Sequence, residues 1–143
     1  MKYLLVTVLC LFSFMAISQV QPVKWNVTIG TSESGDKTIT ATATIDDGWS
    51  LYSQHTDPEG PVPTNFTYSG VKTIGKTIEV SESKTAYSDL FELEVTKFQN
   101  KAVFTQQIEA LSRSKTVQVG ITFMCCDGLK CLPPTEAIFD IKI

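Results

Sequence analysis

Lys37-Thr-Ile-Thr-Ala-Thr-Ala-Thr-Ile45 is the stretch that decides the fold class. In an extended chain Ile39, Ala41, Ala43 and Ile45 share one face and Thr38, Thr40, Thr42 and Thr44 the other, the pattern of a half-buried antiparallel strand. The same period of two recurs in Phe91-Leu93-Val95, Ala102-Phe104-Gln106-Ile108, Val117-Val119-Ile121-Phe123 and Phe139-Ile141-Ile143. Turn-forming residues separate these runs at Ser34-Gly-Asp36, Asp46-Asp-Gly48, Ser69-Gly70, Gln99-Asn-Lys101 and Ser112-Arg-Ser114. Asp57-Pro-Glu-Gly-Pro-Val-Pro63 is a loop, because proline has no N–H to donate to a ladder. No segment keeps a helical period, and neither an internal repeat nor an interdomain linker is visible. Short strands at this spacing predict an all-β fold, an antiparallel β-sandwich.

The start of the chain sets the compartment. Met1 and Lys2 form a short positive start, Tyr3 to Ile17 is an uncharged apolar run, and Ala16-Ile17-Ser18 puts small residues three before and one before a cut preceding Gln19. Residues 1–18 therefore read as a signal peptide, since fifteen apolar residues fall short of the roughly 20 that span a bilayer. Cys10 lies inside that run and is assigned no role. The remainder, 19–143, is about 125 residues, enough for one compact domain. Loss of Lys2 takes the formal charge from -3 to -4. A mildly acidic domain without Lys/Arg clusters has no electrostatic footprint for nucleic acid. With no second long apolar run, no membrane insertion is expected after signal removal, and the protein is expected to be periplasmic or secreted.

Three of the four cysteines fall in Phe123-Met-Cys-Cys-Asp-Gly-Leu-Lys-Cys-Leu-Pro-Pro134. Clustered thiols in an exported chain point to disulfide chemistry. Asp-Gly-Leu-Lys between Cys126 and Cys131 is long enough to turn the chain so that the two side chains meet. Three readings are open: exchange with another protein, a structural staple, and metal binding. A bridge closing a loop of about six residues stabilises a fold by only about 2 kcal/mol, against about 4 for a loop spanning half the domain, so a staple here adds little and exchange is favoured. Metal binding is disfavoured because zinc sites usually need four ligands and the sole histidine, His55, is far away in a Pro/Gly loop.

Cys126 and Cys131 followed by Leu-Pro-Pro134, together with Asp47-Gly-Trp-Ser-Leu-Tyr52 and Tyr87-Ser-Asp89 ahead of Leu93-Glu-Val95, resemble the N-terminal periplasmic domain of the thiol:disulfide interchange protein DsbD. The resemblance implies an immunoglobulin-like sandwich with one redox-active cysteine pair and no bound cofactor. It implies a thioredoxin-like electron donor and oxidised client proteins as partners. Longer family proteins carry a membrane electron-carrying domain and a thioredoxin-like domain after this one, so this chain is expected to work with separate partners or to do something narrower. Family spacings of four and five residues admit Cys126 or Cys125 as the partner of Cys131. Cys126 is favoured by the shorter-loop pattern, with Cys125 as the alternative. Adjacent strand residues point to opposite faces, so only one of the two should share a pocket with Cys131.

The family covers its pair with an aromatic-bearing loop, which aligns near Glu79 to Ser83, where Val80 is the only bulky apolar residue. Tyr52, Phe123 and Trp49 are the other expected walls of the pocket. The contrasting expectation is a non-catalytic immunoglobulin-like binding module with a structural disulfide, since sandwiches host many unrelated functions.

Overall fold

The computed structural model describes residues 19–109 and 116–143. The signal-peptide segment and the Ser112-Arg-Ser114 turn lie outside the described residues. Among those described there is no helix. The strands are β1 (Val23–Thr31), β2 (Lys37–Ile45), β3 (Ser50–Tyr52), β4 (Asn65–Ser69), β5 (Thr73–Glu79), β6 (Lys84–Ser88), β7 (Leu93–Phe98), β8 (Lys101–Ile108), β9 (Thr116–Phe123), β10 (Cys125–Cys126) and β11 (Thr135–Lys142).

They form three antiparallel sheets in the orders β1-β2-β8-β5, β10-β3-β7-β6 and β11-β9-β4. In β2 the register pairs Ile39 with Ile29 and Ala41 with Val27, so the apolar faces of neighbouring strands coincide. Ile39, Ala41, Ala43 and Ile45 are buried as the alternation predicts. Phe104 of the first sheet meets Phe66 of the third at a ring-centroid distance of 5.0 Å and Phe98 of the second at 5.6 Å. The sheets therefore close on one core, to which each contributes.

Two features depart from the sequence reading. Phe91 was expected on a strand with Leu93 and Val95, but the strand starts at Leu93 and Phe91 sits in the turn between β6 and β7, where Glu92 has a φ of 56°. The chain reverses there through a Glu92 N–H bond to the Ser88 carbonyl of 2.7 Å. β5 and β6 carry weaker alternation, with apolar residues exposed. Ile74 and Ile78 lie outward on β5, the end strand of its sheet, whose register against β8 shifts between those residues. At Gly70 a Cβ would collide with the Thr116 carbonyl, and its φ is +78°.

Candidate functional site: a disulfide on the outer face of a small sheet

β10 is two residues long, and its pairing with β3 fixes the direction of both cysteines: Cys125 opposes Leu51 and Cys126 opposes Ser50. Successive residues of a strand point to opposite faces. Cys125 accordingly joins Leu51 and Phe98 in the main core, while Cys126 joins Tyr52 and Val95 in a second, smaller apolar cluster. Cys126 and Cys131 are joined by a disulfide, with their Cα atoms 4.0 Å apart, across an isolated antiparallel bridge. Cys125 is a free, buried thiol, and burial pushes its pKa up to about 11.

The four intervening residues form a tight turn held by its own hydrogen bonds. The Asp127 carboxylate accepts the Leu129 and Lys130 N–H groups, both at 2.9 Å, and the Asp127 N–H donates to the Lys130 carbonyl at 3.0 Å. Those N–H groups hold the Asp127 carboxyl below its ordinary range. Gly128 takes a φ of 92°, a conformation that side chains disfavour. Beyond the bridge, the Leu132 N–H donates to the Cys125 carbonyl at 3.0 Å and closes the base of the hairpin. The turn leaves Leu129 88% exposed at its tip.

Apolar groups from three other segments surround the bridge. Phe91, Leu93 and Met124 pack in its cluster, and Phe91 meets the Tyr52 ring edge-on at 5.9 Å. The proline loop is tied in as well: the Val62 N–H approaches the Met124 sulfur at 3.4 Å, and the Thr64 hydroxyl donates to the Tyr52 carbonyl at 2.6 Å. Burial, followed by the nearby Cys125 thiol, raises the Tyr52 phenol above its usual pKa. Within this setting Cys126 is 2% exposed, whereas Cys131 is only half-buried. Cys131 is thus the less buried end of the bridge and Cys126 the covered one.

Of the four residues expected to wall the site, Tyr52 lies in the disulfide's cluster. Phe123 and half-buried Trp49 pack instead against the main core, Phe123 with its ring 5.6 Å from that of Trp25. Val80 is 61% exposed and belongs to neither cluster. Its neighbour Glu79 anchors that segment, accepting hydrogen bonds from the Ser53 hydroxyl at 2.8 Å and the Gln54 N–H at 2.7 Å. Besides Tyr52, the aromatic residue packed against the disulfide's cluster is Phe91. Its place beside Tyr87-Ser-Asp89 was visible in sequence, but its contact with Tyr52 depends on a turn that period-two reading took for strand. Met124 carried no signal beyond its position next to the cysteines. His55 is exposed, and among the described residues no group of three or more His, Cys, Asp or Glu side chains could hold a metal ion.

The family profile described as "Thiol:disulfide interchange protein DsbD, N-terminal" matches residues 17–143. The chain belongs to the DsbD N-terminal domain family. Three solved structures share its fold. The reduced DsbD N-terminal domain of Neisseria meningitidis aligns with a TM-score of 0.59 at 17% identity, covering 82% of this chain and 84% of that one. The N-terminal periplasmic domain of ScsB from Proteus mirabilis gives 0.65 at 14% identity, over 89% of this chain and 49% of that one. The complex between the DsbD N-terminal and PilB N-terminal domains of Neisseria meningitidis gives 0.54 at 15% identity, over 81% and 80%. No curated protein matches the chain significantly. The sandwich is thus the immunoglobulin-like fold of DsbD N-terminal domains. Among the described residues no helix is long and apolar enough to cross a membrane.

Proposed function

We propose that this DsbD-type domain is an exported thiol–disulfide exchange protein that takes electrons from a thioredoxin-like donor and delivers them to oxidised client proteins through Cys126 and Cys131. The observation that carries this reading is the asymmetry of the bridge: half-buried Cys131 beside a fully covered Cys126, on the face of β10 opposite the main core. In the first half-reaction a donor thiolate attacks the Cys131 sulfur, the S–S bond breaks, and Cys126 leaves as a thiolate that takes up a proton. The donor's second thiol resolves the mixed disulfide. Two electrons and two protons have then reached the domain, now a dithiol, and the donor is a disulfide. In the second half-reaction the Cys131 thiolate attacks a client disulfide, and Cys126 displaces the client's reduced sulfur and re-forms the bridge.

Phe91 and Tyr52 restrict approach to the bridge, which favours a partner that presents its thiol at the Leu129 side. Export to the periplasm fits the leader-like residues 1–18 and the periplasmic origin stated for the ScsB domain. The test is the reduction potential of the protein in glutathione buffers, with mass mapping of the bridge. A reversible Cys126–Cys131 couple between about -270 and -120 mV supports exchange. A bridge that resists reduction below about -300 mV is a structural staple and leaves a binding module in its place. Cys126→Ala keeps the less buried cysteine and removes the resolving one, so it is the variant that should accumulate mixed disulfides with partners.

A further inference from the structure

The sheet that carries the disulfide holds an unfavourable arrangement of charge. In the order β10-β3-β7-β6, Lys97 of β7 directly opposes Lys84 of β6 on one side and Tyr52 of β3 on the other. Directly opposed residues of antiparallel strands share a face, and like charges in that position are destabilising. Tyr52 packs in the disulfide's cluster, so both lysines stand on the face of the sheet that bears the bridge. Neither is neutralised there: among the described residues the one salt bridge is Lys72–Glu109. The single acid of the four strands, Glu94, opposes Tyr87 and has the other parity along β7, so it faces away.

A lysine on an end strand has an ordinary role, since its charge keeps other chains from pairing with the edge. That accounts for exposed Lys84 on β6, but not for Lys97, which is half-buried on an interior strand. The chain has more acids than bases, 15 Asp and Glu against 12 Lys and Arg, so an acid-free row with two lysines runs against its composition. The row is also close to the cysteines. With strands about 4.8 Å apart and alternate residues about 6.7 Å apart, the register puts Lys97 about 12 Å from Cys126 and Lys84 about 16 Å away. A standard interface covers about 800 Å² on each partner, a disc of about 16 Å radius. A protein engaging the bridge therefore meets Lys97 and reaches Lys84 at its rim.

We propose that the Lys84–Lys97 row is a docking element for an acidic protein surface: the electron donor carries acidic side chains beside its reactive thiol, and these pair with the two lysines as it engages the bridge. The inference rests on the exchange reading. The donor is the occupant because a fixed pair of charges gains most from a partner whose surface is constant, whereas clients present many surfaces. In the free domain the lysines repel each other. A carboxylate brought between them replaces repulsion with attraction, so the row favours the complex over the separate proteins.

The probes are two reduced dithiol peptides, Cys-Ala-Ala-Cys flanked by aspartates or by serines. Each is offered to the oxidised wild-type protein and to Lys84→Gln/Lys97→Gln, and reduction of the bridge is followed by mass mapping after acid quenching. One disulfide is reduced as the peptide forms another. Comparing the two proteins with the same peptide cancels that peptide's own thiol reactivity. At low salt the aspartate peptide should reduce the variant several-fold to about 10-fold more slowly than wild type, the lower end of electrostatic steering. The serine peptide should reduce both at one rate, and salt at about 0.1 M, which screens exposed charges beyond about 10 Å, should narrow the aspartate difference. The substitutions relieve a repulsion, so the variant should melt no lower than wild type. Lys84→Gln alone should act in the same direction. Equal rates for the two proteins with the aspartate peptide, or the same slowing with both peptides, overturn the proposal and leave exchange standing. If neither peptide reduces the wild-type bridge, the exchange reading itself fails and the docking proposal falls with it.

Discussion

Reducing the Cys126–Cys131 bridge should lower the melting temperature moderately and leave the domain folded. The cysteines are five positions apart, so the bridge closes a loop of about six residues, for which chain entropy gives about 2 kcal/mol. For a domain of about 125 residues each kcal/mol corresponds to about 3–5 °C, so the expected fall is about 6–10 °C. The structure gives a reason for the fall to stop there. The Asp127 turn and the Leu132 to Cys125 hydrogen bond hold the hairpin without the sulfur bridge. The main core also draws no residue from the Cys126–Leu129 loop. The assay is thermal unfolding followed by near-UV circular dichroism and calorimetry, with and without a phosphine reductant. Cys125→Ala serves as a control that rules out re-pairing. Loss of the cooperative transition, or a fall of more than about 20 °C, refutes the reasoning. It would mean that the bridge is integral to the fold, which a pair that cycles between oxidation states cannot be.

The remaining expectations concern single side chains. Because burial raises the Cys125 thiol to about 11, its thiolate fraction at pH 8 is about one part in a thousand. Iodoacetamide should therefore leave Cys125 unmodified in the native protein and label it after denaturation, as peptide mapping would show. Phe91→Ala removes the ring packed on Tyr52 beside the bridge and should speed reduction by dithiothreitol several-fold; an unchanged rate would mean that Phe91 does not control access. The Asp127 carboxyl is held below its ordinary range by the backbone N–H groups it accepts. Its support of the turn is therefore present above the unfolded-state pKa and is lost as pH falls through the lower folded value. Asp127→Ala should make phosphine reduction faster at neutral pH, and the difference from wild type should vanish only in acid below the usual carboxylate range.

Strong alternation made the central strands legible. In Lys37–Ile45 every second side chain is either apolar or threonine, and such a segment can bury one face only as a strand. β5 and β6 were harder to see because they lie at the ends of their sheets, where exposed Ile74, Ile78 and Tyr87 blur the pattern. Phe91 was misread for a related reason. It continues the parity of Leu93 and Val95, but the Glu92 turn breaks the strand just before Leu93. Val80 was read as a wall because the family aligns an aromatic loop there. Its segment is anchored instead by polar bonds from Glu79 to Ser53 and Gln54, and the valine points outward.

By itself the sequence determined the fold class, the family resemblance and the segment that carries the cysteines. These depend on local periodicity and on residues adjacent in the chain, which a linear reading contains in full. The opposite facing of Cys125 and Cys126 also follows from strand geometry alone, once the segment is known to be a strand. Only the tertiary structure decided which face holds the main core, and with it that Cys126 is the partner of Cys131. That outcome rests on β10 pairing with β3, a strand more than seventy positions away in sequence. The assembly of Tyr52, Phe91 and Met124 around the bridge has the same origin. Contacts between distant segments are set by how sheets pack, and no period within a single strand encodes them.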